Sequence, residues 1–240
     1  VYFAETRDEK IKKIAEVGCS FFVDDLEEVL IHPEFPYGVE RIHFTNSKKI
    51  VGVTGSHGKT STSGMISYIF RNTNMSPTSF IGGIMSQINT NFEIGNSDYI
   101  VIEACEAYRE FLHLTPDTSI ITNISFEHLE TYKDMDDIEN TYLNYVNNTK
   151  KDGNIIINTD DVFMQNWVKK LNRKFYTYGI DKDNQNFAAD NIELKDFYSK
   201  YDLYFNNKIR FHHVDIRSYT TFNDIDMVMD MISSMMGNYT

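Results

Sequence analysis

The sequence predicts an α/β protein: a mostly parallel sheet flanked by helices, with a small antiparallel β extension near its C-terminal end. Three observations predict it. Short apolar runs, IVGV at 50–53, YIVI at 99–102, SIIT at 119–122 and NIII at 154–157, alternate with stretches of helical spacing. That is the pattern of strands covered on both faces. The first run enters a glycine-rich turn, Thr54-Gly55-Ser56-His57-Gly58-Lys59-Thr60, and the turn leads into a helix carrying Met65, Ile66, Ile69 and Phe70. From Phe187 the pattern changes to strands over Phe187–Leu194, Tyr201–Phe205 and Lys208–Phe211, with Asn206-Asn207 suited to a hairpin turn.

The elements follow in order. Residues 1–47 read as a small α/β segment. Tyr2–Ala4 is a strand candidate, and Arg7–Val17 is a helix with Ile11, Ile14 and Ala15 on one face. CSFFV at 19–23 is a buried-type strand ending in Asp24-Asp25. A short helix over Glu27–Ile31 is stopped by Pro33 and Pro36, and Val39–Phe44 is a further strand. Beyond the glycine turn, SFIGGI at 79–84 is a strand end or a close-packed turn, and Ala107–Leu114 is a short helix. Ile138, Tyr142, Tyr145 and Val146 mark an amphipathic helix. Val162–Leu171, with the only tryptophan, is another, and Phe175–Tyr178 is a strand. Residues 221–237 form a last helix, started by Thr221 and Asp224, with a stripe of Phe222, Ile225, Val228, Met229, Ile232, Met235 and Met236. The stripe packs on its own domain or offers a methionine surface to a partner chain.

Composition narrows the function. The 240 residues, 41% hydrophobic, suffice for one large domain or two small ones. With 35 acidic against 23 basic residues the net charge is −12, which argues against broad nucleic-acid binding and makes any phosphate site a local one. Cys19 and Cys105 lie in no metal spacing, and with no secretory signal, reduced thiols in a cytoplasm are expected. No apolar run approaches the ~20 residues of a membrane helix. The first residue is Val1 rather than Met, so the chain reads as trimmed or as part of something longer.

The chemistry concentrates at three strand ends. Backbone N–H groups of the turn, with the N-terminus of its helix, form a cradle for phosphate. Lys59 would reach the β- and γ-phosphates and the Thr60 hydroxyl a Mg2+ ion. The spacing is T-G-x-x-G-K-T, with Val53 where the longer G-x-x-x-x-G-K-[ST] form has glycine. The plainer reading is a tight strand-to-helix turn with a solvated lysine. Glu103 and Glu106 follow YIVI; Asn123, Glu127 and His128 follow SIIT. In an open parallel sheet such carboxyl ends share one crevice, the usual ligand site. Carboxylate and hydroxyl oxygens suit Mg2+, and γ-phosphoryl transfer needs mainly positioning and charge neutralisation. Asp24 and Asp25 also end a strand. They read either as a metal pair or as the cap and first-turn charge of the following helix.

Two resemblances add to this. FFVDDLEEVL resembles the late acidic motif of haloacid-dehalogenase-like phosphatases, without the D-x-D-x-[TV] nucleophile motif before it. Far more of the chain, about Lys48 to Arg210, resembles the central P-loop domain of the Mur ligases. The residues that carry it are TGSHGKTSTS, GNSDYIVIEA, EACEAYREFLHL, TNISFEHLETY and NFAADNIELKDFYSKYDLYFNNK, and they are nearest to the branch that joins L-alanine to UDP-N-acetylmuramate. The resemblance implies use of ATP to turn a carboxylate into an acyl phosphate, which an amine then converts to an amide, in cytoplasmic peptidoglycan synthesis. It implies that Thr54, Gly55, Ser56, His57, Gly58, Lys59, Thr60, Ser61 and Asn123 hold the nucleotide. It implies that Lys59, Glu103 and His128 are catalytic, with Thr60, Glu103 and His128 at a Mg2+ ion. Histidine is unusual for Mg2+, so His128 would act through water or the site would take Mn2+. Glu127 stands where the family has aspartate, and Glu106 is either a supporting acid or a solvated side chain. His32, His43, His113, His212 and His213 have no motif context.

The ends depart from the family. Residues 1–47 hold no glycine-rich turn for a UDP-sugar, and FHHVDIRSYTTF follows Arg210 in place of the family's Gly-His-Asn segment. The expectation is an ATP-binding core at 48–210, followed by a C-terminal helical segment at 211–240, that binds nucleotide without ligating by itself. The alternatives are a nucleotide-binding module without turnover and a phosphatase remnant fused to a nucleotide domain.

Overall fold

The structure is a computed structural model that describes residues 6–24, 26–43, 48–73, 75–85, 89–180, 183–195 and 198–216. The chain divides into two compact units, Val1–Lys48 and Lys49–Thr240.

In the first unit, helix α1 spans Arg7–Val17. The Thr6 hydroxyl accepts from the Glu9 N–H at 3.2 Å, and Gly18 ends the helix at φ 63. Strands β1 (Phe21–Asp24) and β2 (Glu40–His43) pair in parallel, with the single turn α2 (Glu27–Leu30) between them in sequence. Ile11, Ile14, Val29, Leu30 and Phe35 form the core. Asp24 is buried; its carboxylate pairs with Lys10 and accepts the Leu26 N–H at 2.9 Å. One carboxylate oxygen thus holds the β1–α2 corner and the other ties it to α1, while α2 itself begins at Leu26 without a side-chain cap. Asp25 and the strand expected at Tyr2–Ala4 lie outside the described residues.

Among the described residues, the second unit is built on a ten-stranded sheet. Its strands are β3 (Lys49–Thr54), β4 (Thr78–Met85), β5 (Thr90–Glu93), β6 (Tyr99–Glu103), β7 (Thr118–Ile121), β8 (Asn154–Asn158), β9 (Tyr176–Gly179), β10 (Phe187–Lys195), β11 (Tyr198–Phe205) and β12 (Lys208–Ile216). Their spatial order is β12-β11-β10-β9-β8-β7-β3-β6-β4-β5. The seven strands from β10 to β4 in that order are parallel, β5 is antiparallel at one edge, and β10–β12 form an antiparallel ribbon at the other. Two apolar layers cover the sheet. Ile156 packs in one with Val51, Val53, Ile66 and Phe70; its neighbours Ile155 and Ile157 pack in the other with Tyr142, Tyr145 and Trp167. This period-2 split explains the unbroken apolar runs.

Helix α3 (Lys59–Asn72) supplies the first layer. Helices α4 (Met135–Asn148) and α5 (Val162–Trp167) supply the second. Asp134 and Asp161 cap α4 and α5 by accepting the Asp137 and Met164 N–H groups at 2.8 Å. Gly52 in β3 lets α4 approach, since a Cβ there would lie 2.4 Å from the Tyr145 hydroxyl.

Four readings of the sequence need correction. SFIGGI is the middle of an eight-residue strand rather than a strand end. The helix expected at Ala107–Leu114 is a kinked 3-10 segment, Ala107–His113, with Tyr108 and Arg109 at φ 55 and 60. The helix at Val162–Leu171 is α-helical only to Trp167 and tightens to a 3-10 turn over Val168–Lys170. Residues 211–216, assigned to a C-terminal helical segment, continue β12 beyond the Asn206-Asn207 turn, where both φ values are positive as a hairpin requires. The helix expected at 221–237 lies outside the described residues.

Candidate functional site

Strands β3, β6 and β7 are adjacent and parallel, so their carboxyl ends open on one side of the sheet. The glycine loop leaves β3 there. Gly55 sits at φ 136, where a Cβ would fall 2.1 Å from the Thr122 hydroxyl and 2.9 Å from the Asn123 backbone. Gly58, at φ 82, stands at the cap position of α3, and Lys59, Thr60 and Ser61 open the helix. The segment after β7 holds the loop from below. The Thr122 hydroxyl donates to His57 O at 2.6 Å, and the Asn123 amide donates to the same oxygen and accepts the His57 N–H, at 3.0 and 2.9 Å. The Ser56 N–H donates to Asn123 O at 3.0 Å, and its hydroxyl accepts the Ser125 N–H at 2.8 Å. Asn123 and Ser56 therefore shape the loop. Thr54 is buried at the end of β3, and its carbonyl accepts the Thr122 N–H at 3.0 Å.

Lys59 folds back over the loop. Its ammonium donates to Gly55 O at 2.6 Å, Ser56 O at 3.1 Å and Glu106 Oε1 at 3.0 Å, which uses all three of its hydrogens. Glu106 is only 3% exposed. Its Oε1 also faces His128 Nε2 at 3.3 Å, while its Oε2 is buried without a hydrogen-bond partner among the described residues. His128 takes φ 54, a left-handed conformation, and its carbonyl closes a turn by accepting the Thr131 and Tyr132 N–H groups at 2.8 and 3.0 Å. Glu127 meets His57 Nε2 at 3.0 Å. Ligand atoms of Glu106, Glu127 and His128 all lie within 4.8 Å of one another, close enough to share a metal ion.

Glu103 takes a different place. Its Oε1 accepts the Thr60 hydroxyl at 3.1 Å and its Oε2 the Gly82 N–H at 2.6 Å. A Cβ at Gly82 would sit 2.5 Å from one of those oxygens, and one at Gly83 would sit 2.9 Å from the Thr60 methyl. The glycine pair in β4 is thus what lets the strand lie against Glu103 and Thr60. His128 meets Glu106 in this structure, whereas Glu103 meets Thr60. Sequence reading left Glu106 open and gave Gly82 no part in the site. The signal for Glu106 was the Glu-x-x-Glu spacing past β6, and for Gly82 the doubled glycine inside an apolar run.

The Tyr132 hydroxyl donates to Glu106 O at 2.6 Å. Burial, and then the charge of Glu106, raise the Tyr132 phenol to about 12. The same two causes, in the same order, raise Tyr142 well above its ordinary value. Both phenols therefore stay neutral across the working range. Tyr132→Phe is expected to lower stability by about 1 kcal/mol, the worth of one internal hydrogen bond. Urea denaturation checks this, and an unchanged midpoint would show that the bond supports nothing.

A glycine loop, a helix N-terminus and an acid–histidine cluster at the carboxyl edge of a parallel sheet define an α/β domain of the ligand-binding, doubly covered class. Comparison with known proteins narrows the class. Residues 53–223 match the Mur ligase middle domain, and the chain belongs to that family. It is 33% identical over 169 residues to the UDP-N-acetylmuramate–L-alanine ligase of Caldicellulosiruptor bescii, covering 70% of this chain and 37% of that protein. It is 34% identical over 208 residues to the Clostridium novyi enzyme of the same name, covering 87% of this chain and 43% of the relative. The chain therefore spans about two-fifths of the length of these relatives. In fold it is similar to the UDP-N-acetylmuramate–alanine ligase of Thermotoga maritima, with a TM-score of 0.67, 21% identity, and 90% of this chain and 51% of that one covered. It is also similar to MurF ligase from Thermotoga maritima in complex with ADP, with a TM-score of 0.61, 17% identity, and 81% and 47% covered. No helix among the described residues is long and apolar enough to cross a membrane.

Proposed function

We propose that the chain is the Mg-ATP-binding core of a Mur-type amide ligase that acts on UDP-N-acetylmuramate and L-alanine in peptidoglycan synthesis in the bacterial cytoplasm. The observation that carries this reading is the convergence of Lys59, Thr60, Glu103, Glu106 and His128 at the ends of three adjoining parallel strands. Family membership and the names of the relatives support it.

The residues present fit a divalent cation. The donors are a hydroxyl, three carboxylates and one imidazole, and a buried carboxylate oxygen of Glu106 lacks a partner among the described residues. Oxygen donors suit Mg2+, and the imidazole adds tolerance for Mn2+. The cation would neutralise phosphate charge and polarise the transferred group. Glu106, Glu127 and His128, whose ligand atoms lie within 4.8 Å of one another, would hold it on one side, and Thr60 with Glu103 would face it from the other.

In this reading the loop N–H groups and Lys59 hold the β- and γ-phosphates and stabilise charge on them. A carboxylate oxygen of the acceptor attacks the γ-phosphorus. The bond to the bridging oxygen breaks, and ADP leaves with that electron pair. The amine of L-alanine then attacks the acyl carbon, the carbon–oxygen bond to phosphate breaks, and the nitrogen loses a proton.

The test is mass spectrometry of products after incubating the chain with ATP, Mg2+, UDP-N-acetylmuramate and L-alanine, beside calorimetry of Mg-ATP binding. Saturable binding without product by the chain alone is the expected result and supports the reading of a core, an alanyl product would show that the chain ligates unaided, and no binding overturns the proposal. Within the site, Gly82→Ala is expected to push Glu103 aside. It should weaken cation-dependent nucleotide binding about tenfold, the worth of one charge-assisted contact. Stability should change little, because the clash falls on a side-chain end. Parental binding by this variant would remove Glu103 from the cation site.

A further inference from the structure

Lys59 and Glu106 neutralise each other at 3.0 Å inside the site proposed above for nucleotide and cation. We infer that Glu106 is a positioning residue, a carboxylate latch that makes nucleotide binding and divalent-cation binding depend on each other. The inference rests on the nucleotide-binding reading above and names a residue role beyond it.

The Lys59 ammonium has three donors, and Gly55 O, Ser56 O and Glu106 Oε1 occupy all of them. A phosphate entering the loop must take the ammonium away from at least one of these. Two partners are carbonyls of the loop itself, and the third is a buried anion. When Lys59 turns to phosphate, the Glu106 carboxylate, only 3% exposed, loses its cationic partner. An unpaired buried charge is strongly unfavourable. His128 Nε2, 3.3 Å away, is the polar neighbour that remains.

A divalent cation resolves the imbalance. Glu106 Oε2 is already buried without a partner among the described residues, and ligand atoms of Glu127 and His128 lie within 4.8 Å. Released from Lys59, Glu106 presents both oxygens to that space. The cation stabilises the vacated carboxylate, and the carboxylate stabilises the cation. Metal-free nucleotide is held back by the latch, and cation without nucleotide is held back by Lys59. Linkage then requires each ligand to raise the affinity of the other by the same factor.

Glu106→Gln separates this from a structural role. The amide preserves volume and still accepts from Lys59, but it carries no charge. Metal-free ADP is expected to bind the variant about tenfold more tightly than the parent, because phosphate no longer competes with a carboxylate. Mn2+ is expected to add little to ADP affinity in the variant and much in the parent. Electron paramagnetic resonance of free Mn2+, with and without ADP, should show the same loss of coupling from the other side. A merely structural glutamate would give weaker ADP binding under both conditions, which overturns the inference, as does a variant with parental affinities in both. If circular dichroism shows Glu106→Gln unfolded, Glu106→Asp carries the test. Drawn back by one methylene, it should bind metal-free ADP more tightly than the parent while keeping the response to Mn2+. Unchanged metal-free affinity then overturns the inference. Failure of the parent itself to bind ADP, with or without Mn2+, would instead overturn the nucleotide-binding reading on which it rests.

Discussion

Lys59→Ala is expected to weaken Mg-ATP binding by about 1.5–3 kcal/mol, a tenfold loss or more. The side chain lies over the loop at 13% exposure with its ammonium against Gly55 O and Ser56 O, so it is already ordered where a bound phosphate would meet it. Little side-chain entropy is then lost on binding, and the phosphate contact is offset only in part by the Glu106 contact that Lys59 gives up. The substitution also strands Glu106, so the free protein should lose stability. Calorimetric titration checks the first effect and urea denaturation the second. Equal ATP affinity in variant and parent would show that Lys59 does not touch the nucleotide.

Gly55→Ala is expected to act through the backbone. At φ 136 an L side chain is strained by about 1–3 kcal/mol wherever it stands. Here the added methyl also meets the Thr122 hydroxyl at 2.1 Å and the Asn123 backbone N and O at 2.9 Å. The Thr122–Asn123 segment, which holds His57 from below, would have to retreat. Stability and nucleotide binding should therefore fall together. Gly58→Ala makes the contrast. Its φ of 82 is also strained, but nothing lies within 4 Å of the added carbon. It should cost about 1–2 kcal/mol, the left-handed penalty alone. Thermal unfolding and ADP titration of both variants check the ranking. A Gly58 variant more damaged than the Gly55 variant would refute the packing argument.

How much of this was legible follows from what sequence pattern can encode. The strands IVGV, YIVI, SIIT and NIII were legible because a strand buried on both faces needs apolar side chains at every position. The glycine loop was legible because positive φ and close backbone approach select glycine. Strand β5 was not, since its TNFE stretch lies at a sheet edge and shows neither alternation nor an apolar run. The kink at Tyr108 and Arg109 was not, because neither residue type announces a positive φ. Within the site, the placement of charged groups at strand ends could be read, but not their pairing. Whether Glu106 is solvated or buried depends on Tyr132, Lys59 and His128 closing around it from three separate segments. Asn123 reads from its motif as a nucleotide contact, yet both ends of its amide are used on His57. The role of Gly82 emerges only when β4 lies beside Glu103.

The most direct test of the central claim is a crystal structure of the chain with ADP and Mn2+, with the cation located by its anomalous scattering. The account predicts the β-phosphate on the loop 54–60 with Lys59 turned from Glu106 to the phosphate. It predicts the cation beside Thr60, within reach of Glu103, Glu106 and His128. Nucleotide bound away from this loop, or a cation that leaves the Lys59–Glu106 pair intact with phosphate bound, would contradict it.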